Sequence, residues 1–209
     1  MKKINFDILL LTSVMCLVPV LFGLYFYQDL PDIVAVHFDI NNNSNGFMSK
    51  DYFVFGTPVL MMLIQIFVCI AIDIKNKVVE KNKKSTFMYK LLIPTVTALL
   101  YVVIIMYGVT VGIDMMKIAM IIVGVMFIVI GIDLPKTTRD SHINFPNIKD
   151  DKIYFKTKKV YGIIFIIDGI LALISCLFDS RLSVGVVVLV IIEAIILIVF
   201  AFCCNRKYN

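Results

Sequence analysis

The sequence predicts an all-α integral membrane protein: a six-transmembrane-helix bundle with a small extracellular cap between spans 1 and 2. Two observations carry that prediction. Apolar residues make up 60% of the 209 positions and charged residues only 17%, with a mean hydropathy of +0.95, a balance that soluble domains of this size rarely show. The apolar residues also fall in long blocks, most of them close to the roughly 20 residues that a helix needs to cross a hydrocarbon core about 30 Å thick.

The six blocks are residues 8–27, 53–74, 91–111, 116–132, 161–178 and 183–204. Several are rich in Val and Ile, which favour strands in water. In lipid the backbone must satisfy its own hydrogen bonds within the segment, so each block is read as a helix. Met1-Lys2-Lys3 before an apolar run imitates a signal peptide, but no small-x-small cleavage site follows before Gln28; an uncleaved first span is expected. The five cysteines, Cys16, Cys69, Cys176, Cys203 and Cys204, lie in the blocks or at the end of one, which argues against a disulfide framework or a metal cluster.

Charge sets the direction. With the N-terminus inside, 17 of the 20 basic residues fall in inner segments, and only Lys50, Lys117 and Arg181 fall outside. That asymmetry follows the positive-inside rule and puts both termini of a multi-pass membrane protein in the cytoplasm. The net charge of +5 is spread among juxtamembrane loops without interleaved aromatics, so lipid headgroups are the expected partner and direct nucleic-acid binding is not expected.

The connections differ in character. The outer loop 28–52 is longer than a turn requires: residues 30–38 have strand-like Val and Ile content, and Asn41 to Gly46 read as a turn, which predicts a small hairpin. The inner loop 133–160 is the longest, and its residues 150–159 open an amphipathic interfacial helix leading into the fifth span. The inner run from Lys75 to Lys90 offers a basic surface to an acidic partner.

Few residues carry recognisable chemistry. Asp39, Asn41 and Asn43 repeat the start of a calcium loop, but Ser44 and Lys50 stand where the glycine and the bidentate glutamate belong. His142 lies near Ser141 and Asn144 without making a triad. No HExxH, Walker or glycine-rich cofactor loop is present, so neither an enzyme nor a cofactor is expected. Asp168 and Glu193 are the most unusual positions: both lie inside apolar blocks, at similar depth on consecutive antiparallel spans. Two carboxylates together in a low dielectric cannot both ionise cheaply. They read either as a proton or cation site or as a hydrogen-bonded interhelical contact.

The outer-loop run Leu30-Pro31-Asp32 through Val36-His37-Phe38-Asp39, with Gly46 and Lys50 after it, resembles the N-terminal domain of unknown function found in SdpI-like bacterial membrane proteins. Gly131-Ile132-Asp133-Leu134-Pro135-Lys136 is similar to that family's Gly-Asn-x-Leu-Pro-Lys segment, and Lys156-Thr157 with Gly162 and Gly169 to its Trp-x-Lys-Thr-His element. Tyr154 and Lys158 stand at the tryptophan and histidine positions of that last element, and Asn147 follows Pro146 where the family has tryptophan.

The resemblance implies an N-terminal two-span domain (1–80) and a C-terminal four-span domain (81–209). It implies an immunity protein that protects its producer from a secreted membrane-active peptide toxin, and a signalling role in which the toxin-engaged protein holds a cytoplasmic autorepressor at the membrane. Leu30, Pro31, His37, Phe38 and Asp39 are then the candidates for toxin contact. Pro135, Lys136, Lys156 and Thr157 are the candidates for signalling, with Asp168 and Glu193 as the polar element between the two faces. A proton-coupled transporter and a regulatory membrane subunit are the alternatives.

Overall fold

The computed structural model describes residues 4–75, 83–110, 112–137, 148–178 and 180–206. The chain between Lys75 and Lys83, His142 with Ser141 and Asn144, and Asn147 lie outside the described residues. Within them the elements are α1 (Phe6–Met15), α2 (Pro19–Tyr25), β1 (Ile33–Phe38), β2 (Ser44–Ser49), α3 (Thr57–Lys75), α4 (Lys83–Val109), α5 (Met115–Asp133), α6 (Asp151–Ser175) and α7 (Ser180–Arg206). The fold is an all-α membrane protein with one hairpin.

Among the described residues five stretches are long and apolar enough to cross a membrane: Phe6–Tyr25, Tyr52–Ile74, Thr86–Val109, Met115–Lys136 and Leu182–Arg206. The sixth expected span forms α6, which is not among the five. Every 18-residue window of that helix includes Lys158, Lys159 and Asp168. As expected from residues 150–159, α6 starts well before its apolar part, with the Asp150 side chain accepting from the Ile153 amide at 2.8 Å, an N-cap.

The chain forms two compact units, Met1–Met115 and Met116–Asn209. In the first, Pro19 breaks the opening span into α1 and α2, because its ring supplies no N–H and clashes with the preceding turn; Cys16 and Leu17 bond instead to Ser13 and Val14 carbonyls. Tyr52–Gly56 forms a widened π-helical turn before α3. Val54 in that turn receives a hydrogen bond from the Tyr101 hydroxyl at 3.0 Å, and Tyr101 stacks on Phe53 with ring centroids 4.9 Å apart. Leu30, Val34, Phe53, Val54, Tyr101 and Ile105 form the core of this end.

At the other end of α3 and α4 the contacts are polar. Pro94 lies inside α4 and leaves the Lys90 carbonyl without its helical donor. The buried Gln65 side chain from α3 supplies one, Nε2 to O at 2.7 Å. Two turns onward along α3 the Lys90 ammonium meets the Asp73 carboxylate at 2.7 Å, with the lysine side chain 1% exposed and the aspartate 10%. Asp73 also accepts from the Asn5 amide at 3.1 Å, which ties the start of α1 to the same ion pair.

The second unit is held by glycines. A Cβ on Gly131 would sit 2.6 Å from the Gly162 carbonyl, and one on Gly169 2.6 Å from the Gly124 carbonyl. Helices α5 and α6 therefore meet backbone to backbone at two levels, in the manner of small-residue contacts between membrane helices. On α6 and α7, the Ser175 and Ser183 hydroxyls lie 3.1 Å apart.

Candidate functional site

The hairpin between α2 and α3 is the first candidate. Strands β1 and β2 pair antiparallel, with Ile33 opposite Ser49 and His37 opposite Gly46, and the register shifts on either side of His37. Gly46 is required there, since a Cβ would stand 2.7 Å from His37 Cβ. The tip is an Asx turn: Asp39 Oδ1 accepts from the amides of Asn41 at 2.9 Å and Asn43 at 2.8 Å, and Oδ2 from the Asn43 side chain at 3.1 Å. Asn42 takes the left-handed conformation, φ 66°, which asparagine tolerates. Its side chain bonds the Ile113 carbonyl at 3.1 Å and the Met115 amide at 2.8 Å.

The Asn43 amide, first among these donors, holds the Asp39 carboxyl below its ordinary range. A depressed folded pKa stabilises the turn above the unfolded aspartate value of about 3.9, and the effect is lost as pH falls through the folded pKa. The Asn41 and Asn43 amide resonances should hold steady from neutral pH down to about 4 and shift only below it. In Asp39→Asn that titration should vanish; movement centred above about 4 in the unmodified protein would contradict the turn.

Each of the five outer candidates has a structural duty. Leu30 is a core residue and Val34 joins it there; Pro31 lies against Gly108; His37 Nδ1 bonds Asn45 Oδ1; Phe38 meets Tyr107 edge-on at 4.7 Å; Asp39 holds the tip. Lys50 adds an ion pair to Asp32 at 3.3 Å and lies 4.8 Å from the Tyr27 ring centroid. Tyr27 donates to Asp51, a contact that pushes the phenol above its usual range.

Of the five, Pro31 and His37 are exposed, and other residues join them on the outward surface. Ile33, Phe47, Tyr25, Tyr52 and Phe55 are exposed, and Leu24, Tyr25, Tyr27, Gln28, Asp29 and Phe55 line a cleft of about 600 Å³ at the base of the hairpin. Residues 28–52 contain four aspartates (Asp29, Asp32, Asp39, Asp51) against the single Lys50, so this surface is acidic in a basic protein.

In the second unit the Gly131–Lys136 motif ends α5 and turns through a 3-10 segment, Leu134–Lys136. Pro135 lies on Gly162, where a Cβ would be 2.7 Å from its Cγ. Thr137, just beyond, is buried and accepts the Lys158 ammonium through both its carbonyl, at 3.1 Å, and its hydroxyl. Lys158 also bonds the Tyr154 hydroxyl at 3.1 Å, and both residues are fully buried. Tyr154 and Lys158, the departures from the family pattern, thus occupy one cluster. Lys136 and Lys156 are exposed, and Thr157 is buried.

The Asp168 and Glu193 carboxyls face each other across α6 and α7, and among the described residues Asp168 Oδ2 and Glu193 Oε2 are buried without a hydrogen-bond partner.

Residues 14–62 match the model of a domain of unknown function, DUF1648. The match runs from the end of α1 through the hairpin into α3, so it covers the whole outer-loop motif. No curated protein and no solved structure matches the chain.

Sequence reasoning missed the outward aromatics because Tyr25 and Phe55 read there as ends of apolar blocks. Their position where spans meet the hairpin was the usable signal, since tyrosine and tryptophan collect at membrane boundaries.

Proposed function

We propose that this chain is an immunity protein of the bacterial cell membrane, with both termini cytoplasmic, that protects its producer from a secreted, membrane-active peptide toxin. The reading is carried by the hairpin: a folded, acidic cap with outward aromatics around a cleft of about 600 Å³, set where a peptide entering the bilayer would meet it. An acidic, aromatic surface suits a cationic amphipathic peptide. The family resemblance supplies the immunity role, and the DUF1648 match covers the same region without a function of its own. The autorepressor role belongs to the same proposal, with exposed Lys136 and Lys156 offered to the repressor and Pro135 and Thr157 packed behind them.

The test is survival of a toxin-sensitive bacterium that expresses the protein and is challenged with the peptide encoded beside its gene. The wild type should protect. Tyr25→Ser with Phe55→Ser should lose most protection at equal membrane abundance, and Lys156→Ala with Thr157→Ala should separate protection from signalling. No protection by abundant wild type sinks the immunity reading for that peptide. The Asp168–Glu193 pair favours a second reading, proton-coupled transport, which would show as peptide efflux that collapses with the membrane potential.

A further inference from the structure

Helices α6 and α7 leave a groove of about 490 Å³ between them, at the end where α6 begins and α7 finishes. Its walls are Val160, Tyr161, Ile196 and Phe200, with Thr157 and Lys156 at its polar end. The α7 side belongs to the span Leu182–Arg206, so these apolar walls lie at membrane depth. Lys156 is the lysine in the groove's lining; Lys152, one turn before it on α6, is exposed, as are Lys149 just before the helix and Arg206 at the end of α7. The Lys149 amide donates to the Asn205 side chain at 2.8 Å, which brings the chain before α6 to the end of α7. Two acids stand at the start of α6: the Asp150 carboxylate is turned onto the Ile153 amide, and Asp151 is exposed beside Lys152.

We propose that this groove is a binding site for an anionic phospholipid, with one acyl chain along Val160, Ile196 and Phe200 and the phosphate on Lys156 and Lys152. The charge and the shape select that occupant together. A soluble anion would satisfy the lysines but leave the apolar walls empty, and a zwitterionic lipid would fill the groove but gain little from the lysines. The bound lipid bridges α6 and α7 at the end where the Tyr154, Lys158 and Thr137 cluster is buried. It thereby stabilises the part of the second unit that holds the signalling candidates, whatever peptide the cap meets.

The experiment is lipid titration of the full-length protein in detergent, followed by native mass spectrometry, with phosphatidylglycerol and phosphatidylcholine of identical chains. The wild type should retain phosphatidylglycerol about tenfold more strongly, and Lys152→Gln and Lys156→Gln should each reduce that preference about fivefold, leaving phosphatidylcholine retention unchanged. Val160→Trp, which fills the groove from a position that is 46% exposed, should lower retention of both lipids while the lipid-free unfolding temperature stays put. Equal retention of the two lipids by the wild type overturns the proposal. So does an unchanged preference in the lysine variants, or inorganic phosphate displacing the lipid outright.

Discussion

Gly162→Leu should abolish stable folding of the second unit, at a cost of more than about 3 kcal/mol. The added Cβ alone would lie 2.8 Å from the Gly131 carbonyl and 2.7 Å from Pro135. Backbone on one side and a fixed ring on the other cannot rotate away, unlike the end of a flexible side chain. Gly169→Ala and Gly131→Ala should each be destabilising for the same reason, because both face carbonyls at 2.6 Å. Gly185, with nothing within 4 Å of a Cβ, provides the comparison: its alanine variant should unfold at or above the wild-type temperature. Thermal unfolding in a mild detergent reads all four, and a Gly162→Leu protein melting like the wild type would refute the backbone contact.

Lys90→Ala should cost about 3–5 kcal/mol, because it strands the Asp73 carboxylate in a largely buried site. The pair is far from a surface salt bridge, with 1% and 10% side-chain exposure and an N–O distance of 2.7 Å. Replacing both partners, Asp73→Leu with Lys90→Met, should return most of that loss, since an apolar pair of similar volume incurs no desolvation. The expected order of unfolding temperatures is therefore wild type close to the double variant, with Lys90→Ala well below. Additive losses in the double variant would show that the two residues act independently.

Much of the architecture was legible because lipid simplifies the code. Long apolar blocks have one viable backbone, and the strand-then-turn pattern of residues 30–46 stood out against them. What was not legible depended on pairs distant in the chain. Lys90 read as a loop charge beside the third block, yet α4 starts at Lys83 and carries Lys90 inside, opposite Asp73 from α3. Pro19 was visible within the first block, but only the structure shows that the span divides there. Tyr154 and Lys158 read as two mismatches to a motif. The bond from Lys158, itself held by Tyr154, to Thr137 spans a gap in sequence that no periodicity reports. The cap motif was legible as a unit whose members hold the hairpin together, while Tyr25, Phe47, Tyr52 and Phe55, which it does not mark, join the exposed Pro31, Ile33 and His37 on the outward surface.

The Gln65 bond to the Lys90 carbonyl restricts how the first unit can move. A side chain on one helix that plugs a missing rung in the next fixes the axial offset of the two, and the Asp73–Lys90 ion pair repeats the constraint two turns along α3. Sliding α3 by one turn, about 5.4 Å, would break both at once. The piston coordinate is closed, and the displacement left to α3 and α4 is to tilt together as one lever, with the hairpin at its far end.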